Sequence, residues 1–131
     1  MSDKHQIKEI RLRLMLSNIE KMDVASLTEL TVALHDFKNK QGFTPTIIAI
    51  TETWEDAEEN ATYALKGYEY VGKPTPRGPK ATRPHGGVGF WVHKAVFPQC
   101  SRAQVNDNHK DILWIQLVDS KISITTYVAV V

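Results

Sequence analysis

At 131 residues the chain has room for one domain with a real core, at the small end for an α/β enzyme. Its 42% apolar and 24% charged residues are ordinary for a globular protein and exclude a low-complexity chain, and no apolar run approaches the length of a membrane-spanning helix. A net charge of +1 selects no partner, but its distribution is uneven. Between Lys66 and Arg102 the cations Lys66, Lys73, Arg77, Lys80, Arg83, Lys94 and Arg102 face only Glu69, and just before them lie Glu52, Glu55, Asp56, Glu58 and Glu59. An acidic tip beside a basic segment suits a metal and a phosphate, or equally two solvated surfaces. Cys100 is the only cysteine, and Met1–Glu9 lacks an apolar leader core. The expectation is a reducing, intracellular location, nucleus or cytoplasm, with no secretion and no membrane partner. The sequon Asn60-Ala61-Thr62 is then a chance match.

In chain order, residues 1–9 read as a polar tail and 10–131 as the domain. Residues 10–18 alternate as a strand, with Leu12, Leu14, Leu16 and Asn18 on one face, expected to be the core side. Val24, Leu27, Leu30, Leu34 and Phe37 recur at helical spacing, with Asp23 or Ser26 as the cap and Gly42 as the stop. Residues 46–52 read as a strand whose continuous apolar run, Ile47 to Ile50, predicts burial on both faces. Acids open a short second helix over about 55–65, with Gly67 ending it before a strand at "YEYVG". Residues 73–85 hold four of the six prolines and read as a loop. "GGVGFWVHKAV", "DILWIQLVD" and "KISITTYVAVV" predict three further strands. The order implies an α/β layered domain with crossover helices first and hairpins later.

Asn18 and Glu52 each stand at the carboxyl end of a predicted strand, and one crossover helix joins the two strands. Parallel neighbours joined in that way bring both side chains to the sheet edge where α/β folds place ligands. A carboxylate with an amide suits a hard cation such as Mg²⁺ or Mn²⁺ rather than zinc. Spacing alone leaves open that Asn18 makes turn hydrogen bonds and that Glu52 caps the next helix. Trp54 reads as packing at a strand–helix junction, Trp91 and Trp114 as core or sheet packing. The five histidines form no metal-spaced set.

The ordered set "MLSNIE", "IIAITETW", "LKGYEY", an Arg-containing loop into "GGVGFWV", and "ISITTYVAVV" resembles the first half of an endonuclease/exonuclease/phosphatase domain. That family includes the abasic-site endonucleases, DNase I and the endonucleases of non-LTR retrotransposons, and the "ETW…GY…GGVG" run is most similar to the retrotransposon branch. The resemblance spans about residues 10–130. It implies part of a four-layer, DNase I-like α/β sandwich: the first sheet with its helices plus part of the second. It also implies hydrolysis of phosphate esters with Mg²⁺ or Mn²⁺, and a nucleic acid, DNA first, as partner. Matched motif by motif, Glu52 falls on the family's metal-binding glutamate and Asn18 on the asparagine near metal and phosphate. Glu20 falls where some members carry a metal-associated acid, and Tyr127 where many carry a phosphate-contacting tyrosine. Arg83, with Lys80 and Arg77, would hold a polyanionic backbone, or be ordinary loop cations.

The family's Asp-x-Asn motif and its Asp-His pair have no match in these residues, and the sequence ends at Val131 inside an apolar run. The expectation is therefore a truncated domain, inactive alone, whose unfinished sheet invites self-association. A non-catalytic nucleic-acid-binding remnant and another phosphatase of the same superfamily remain the alternatives.

Overall fold

The computed structural model describes residues 12–54, 63–73, 86–103, 112–119 and 124–130. Along the chain run β1 (Leu14–Asn18), α1 (Val24–Gln41), β2 (Ile47–Thr51), β3 (Tyr68–Lys73), β4 (Val88–His93), β5 (Cys100–Arg102), β6 (Leu113–Asp119) and β7 (Ile124–Val130). A single 3₁₀ turn, Phe97–Gln99, leads into β5 with Pro98 in its first turn. The first sheet has the order β1-β2-β4-β3 and the second β5-β6-β7. β1 and β2 are parallel, as the crossover through α1 requires, and every other pairing is antiparallel.

α1 starts where the sequence offers a cap. The Ser26 amide donates to Asp23 Oδ1 at 2.8 Å, and the same contact holds the Asp23 carboxyl below its ordinary range. Ser26 is thus the residue capped, not the cap. Gly42 closes the helix in the left-handed conformation at φ 81°, its amide on Lys38 O. Leu27, Leu30 and Leu34 bury the helix on the first sheet with Ile48, Ile50, Tyr68 and Trp91. On the sheet's other face Ile47, Val88, Phe90 and Val92 meet Leu113, Ile115, Leu117 and Val130 of the second sheet. Ile47, Ile48 and Ile50 are fully buried, so β2 is covered on both faces as its composition predicts. Helix, sheet and sheet give three successive layers.

One expectation needs correction. The expected leucine face is a core face only at Leu12, just before β1, which packs against the second sheet's cluster: Leu14 and Leu16 are 59% and 71% exposed and Asn18 is exposed, while Met15 packs under α1. β1 is an edge strand. The second sheet packs over β2 and β4, which leaves the same face of β1 in solvent. The helix expected over about 55–65 lies outside the described residues except for 63–65, which are not helical. Tyr63 and Leu65 pack against the cluster under α1, ahead of the Lys66–Gly67 turn.

Two glycines have a packing task within the first sheet. Gly72 and Gly89 are register partners, and a Cβ on either would run into the Tyr70 ring. That ring lies 4.8 Å from the Trp91 ring, so an aromatic pair covers the glycine gap in the sheet.

Candidate active site at the sheet edge

The carboxyl ends of β1 and β2 form one continuous row. Asn18 pairs with Thr51, Thr51 with Val88, and Val88 with Lys73. Lys73 Nζ donates to Ile112 O at 2.9 Å, and Arg102 donates to Gly72 O, so two of the basic residues bridge the sheets. Leu113, next to Ile112, pairs with Val130, and β7 therefore runs toward this edge. Tyr127 stands in β7 opposite Gln116, three residues before Val130.

Just beyond the row, the chain turns sharply at both strand tips. Glu20, Glu52 and Trp54 have φ of 54°, 56° and 54°, and they are the only non-glycine residues at positive φ among those described. Such strain costs on the order of 1–3 kcal/mol per residue and concentrates where a structure needs an exact side-chain placement. The two turns are clipped together by Ile19 N on Thr51 O at 3.2 Å and Met22 N on Thr53 O at 2.8 Å.

At the β2 tip the "TETW" and "GG" motifs meet. Thr53 N donates to Gly87 O at 3.3 Å and Trp54 N to Gly86 O at 2.9 Å, which continues the β2–β4 ladder past its last strand residues. Gly87 sits at φ 92°, and a Cβ there would strike Thr53 Oγ1. Gly87 is thus required by close approach, and Gly86 before it stands at φ 69°, a conformation that favours glycine. The reward is the setting of Glu52, which is half-buried. Its Oε2 accepts from Trp54 Nε1 at 2.8 Å and from Gly86 N at 3.2 Å. Oε1 takes no hydrogen bond among the described residues. Thr53, between them, is 1% exposed and its hydroxyl has no partner among the described residues.

Asn18 is arranged differently. Its Oδ1 accepts the Glu20 amide at 3.2 Å, an Asx turn that leaves the carboxamide N–H₂ as donor at an exposed position. Glu20 is exposed, and among the described residues its backbone amide and not its carboxylate is engaged. Ser17, Asn18, Ile19, Ser26, Glu29 and Leu30 line a shallow hollow of about 180 Å³ beside this turn. Arg77, Lys80 and Arg83 lie outside the described residues, as does the Tyr127 side chain. His93 serves packing, edge-on to Tyr68 with ring centroids at 5.4 Å.

Among the described residues no three or more His, Cys, Asp or Glu side chains gather as a ligand set. Among the described residues no zinc-type site is built. A magnesium-type ion does not need such a set, because it keeps several waters and takes one or two carboxylates plus phosphate oxygens. One oriented carboxylate, Glu52, across the row from the amide of Asn18 fits that demand.

No protein-family profile matches the chain, and no curated protein sequence does. The fold is similar to that of a solved structure, the AP endonuclease LMAP of Leishmania major. The superposition has a TM-score of 0.61 at 17% identity and covers 90% of this chain. The likeness is one of fold: the four-stranded sheet with its helix and the smaller second sheet are part of a DNase I-like sandwich. This chain spans 39% of the length of that endonuclease. No helix among the described residues is long and apolar enough to cross a membrane.

The strap around Glu52 is not legible in the sequence. Trp54 reads there as packing, whereas in the structure its indole N–H holds the glutamate. Its only signal is position, two residues beyond an acid at a strand tip.

Proposed function

We propose that the chain is the metal-binding portion of a nuclease-type phosphodiesterase of the endonuclease/exonuclease/phosphatase superfamily, nearest its retrotransposon branch. It acts on nucleic acid, DNA first, with Mg²⁺ or Mn²⁺. The observation that carries this reading is the Glu52 turn: a carboxylate held by two N–H donors at the carboxyl edge of a parallel strand pair, in a fold like that of an AP endonuclease. Glu52 would hold the ion through Oε1, and Glu20 is a weaker second ligand. When bound, the ion neutralises charge developing on the phosphoryl oxygens. The Asn18 amide and the Tyr127 hydroxyl would donate to the phosphate and fix its orientation. Arg83, Lys80 and Arg77 would grip the polyanionic backbone in a salt-sensitive, sequence-independent way.

No residue of the 131 matches the family's water-activating Asp-His pair, and hydrolysis needs a base within hydrogen-bond reach of the attacking oxygen. This polypeptide therefore binds DNA and metal but cuts slowly or not at all by itself. Its exposed Leu14 and Leu16 face gives it a tendency to self-associate, which light scattering would detect. The test is supercoiled-plasmid nicking with Mg²⁺, alongside fluorescence anisotropy on a DNA duplex at rising salt. Duplex binding that weakens with salt, without nicking, is expected. Robust nicking that Glu52→Ala abolishes would refute the inactivity, and no binding at low salt would refute the substrate class.

A further inference from the structure

We infer that Trp54 is a positioning residue for Glu52: its indole N–H, with the Gly86 amide, fixes one carboxylate oxygen so that the other is presented to a cation. The inference rests on Glu52 being a metal ligand, and it adds how the chain makes one glutamate suffice.

A side chain two residues away does not ordinarily reach back to a glutamate at a strand end, because an extended backbone sends residues i and i+2 outward in parallel. Here both Glu52 and Trp54 adopt positive φ, at 56° and 54°. Neither is a residue type that favours the left-handed region. The double reversal wraps the chain around the carboxylate and brings Trp54 Nε1 to within 2.8 Å of Oε2. Thr53, between them, is anchored in the interior at 1% exposure, and its amide and that of Trp54 are tied to Gly87 and Gly86. The strap is thus fixed at three backbone points: Met22 on Thr53 O, and the two glycine carbonyls. Both donors fall on Oε2.

That asymmetry has a chemical consequence. Neutral N–H donors stabilise the charged carboxylate without competing as cations would, and they hold its rotamer. A carboxylate on an exposed, freely turning side chain would lose rotamer freedom on binding a cation, whereas Glu52 has lost it in folding. Outer partners of this kind change metal affinity by about 10- to 100-fold when removed. Tryptophan is the apt residue: its indole donates but cannot accept or ionise, so it cannot become a rival ligand or base.

The inference is tested on the purified 131-residue chain with Mn²⁺ followed by electron paramagnetic resonance, comparing the parent with Trp54→Phe and Glu52→Gln. Trp54→Phe keeps the ring and removes the donor, and the expected result is about 10-fold weaker Mn²⁺ binding. Should Trp54→Phe fail to fold, the parent decides the matter by itself. In a ¹⁵N-labelled sample titrated with Mg²⁺, the Trp54 indole resonance should shift and saturate while those of Trp91 and Trp114 stay put. A merely structural tryptophan would not report the ion in this way. Unchanged Mn²⁺ affinity in Trp54→Phe, with binding lost in Glu52→Gln, would overturn the positioning role while leaving Glu52 as the ligand. Unchanged affinity in Glu52→Gln would overturn both. A Trp54 indole resonance indifferent to Mg²⁺ would overturn the positioning role in the native chain.

Discussion

The tips of β1 and β2 use the same backbone device to different ends. Each places a glutamate in the left-handed region just past its strand, Glu20 at φ 54° and Glu52 at φ 56°. At β1 the side chain of Asn18 takes up the Glu20 amide, the glutamate carboxylate stays in solvent, and Asp23 then starts α1. At β2 the polarity is reversed: backbone and indole donors converge on the carboxylate itself. The first turn serves to enter a helix, and the second serves to hold an acid. Position at a strand end therefore does not by itself orient a carboxylate; donors directed at it do.

The most damaging change to the β2 turn is Gly87→Ala. The new Cβ meets the buried Thr53 hydroxyl at a backbone conformation that disfavours side chains. A loss of about 3 kcal/mol in urea unfolding is expected, together with weaker Mn²⁺ binding. A neutral result would show that the clamp between "TETW" and "GG" is loose. Thr53→Val works in the opposite direction. A buried hydroxyl with no partner costs about 1–3 kcal/mol, so the isosteric valine is expected to raise stability by about 1 kcal/mol with the Glu52 setting unchanged. Destabilisation would mean that the hydroxyl is engaged in solution.

The cap that follows the β1 turn is expected to yield only in strong acid. Ser26 holds Asp23 below its ordinary value of 3.8, so the folded state favours the ionised cap. Its contribution is full above that value and is lost as the pH falls through the lowered one. Asp23→Ala is expected to be somewhat less stable at neutral pH and to close that gap in strong acid, as read from thermal melts across pH. A gap that widens in acid would contradict the capping geometry.

Much of this architecture is legible in the sequence. The parallel β1–α1–β2 unit follows from a helical period between two apolar runs, and burial of β2 on both faces follows from its closely spaced isoleucines. Glu52 stands out because an acid closes that run. The facing of β1 is not legible, because alternation states which residues share a face but not which face is covered, and coverage depends on how far the second sheet extends. β5 leaves no signal because three residues, Cys100–Arg102, carry no period. The Trp54 strap is hidden for a deeper reason. It depends on positive φ at a glutamate and a tryptophan, which local propensity opposes and only the surrounding tertiary hydrogen bonds impose.

The contrast between the two tips is tested most directly by titrating Mn²⁺ into the parent chain, Glu52→Gln and Glu20→Gln under one set of conditions. Binding weakened by about 100-fold or more in Glu52→Gln, with Glu20→Gln close to the parent, is the expected outcome. Equal loss in both variants, or loss only in Glu20→Gln, would contradict the assignment of Glu52 as the principal ligand.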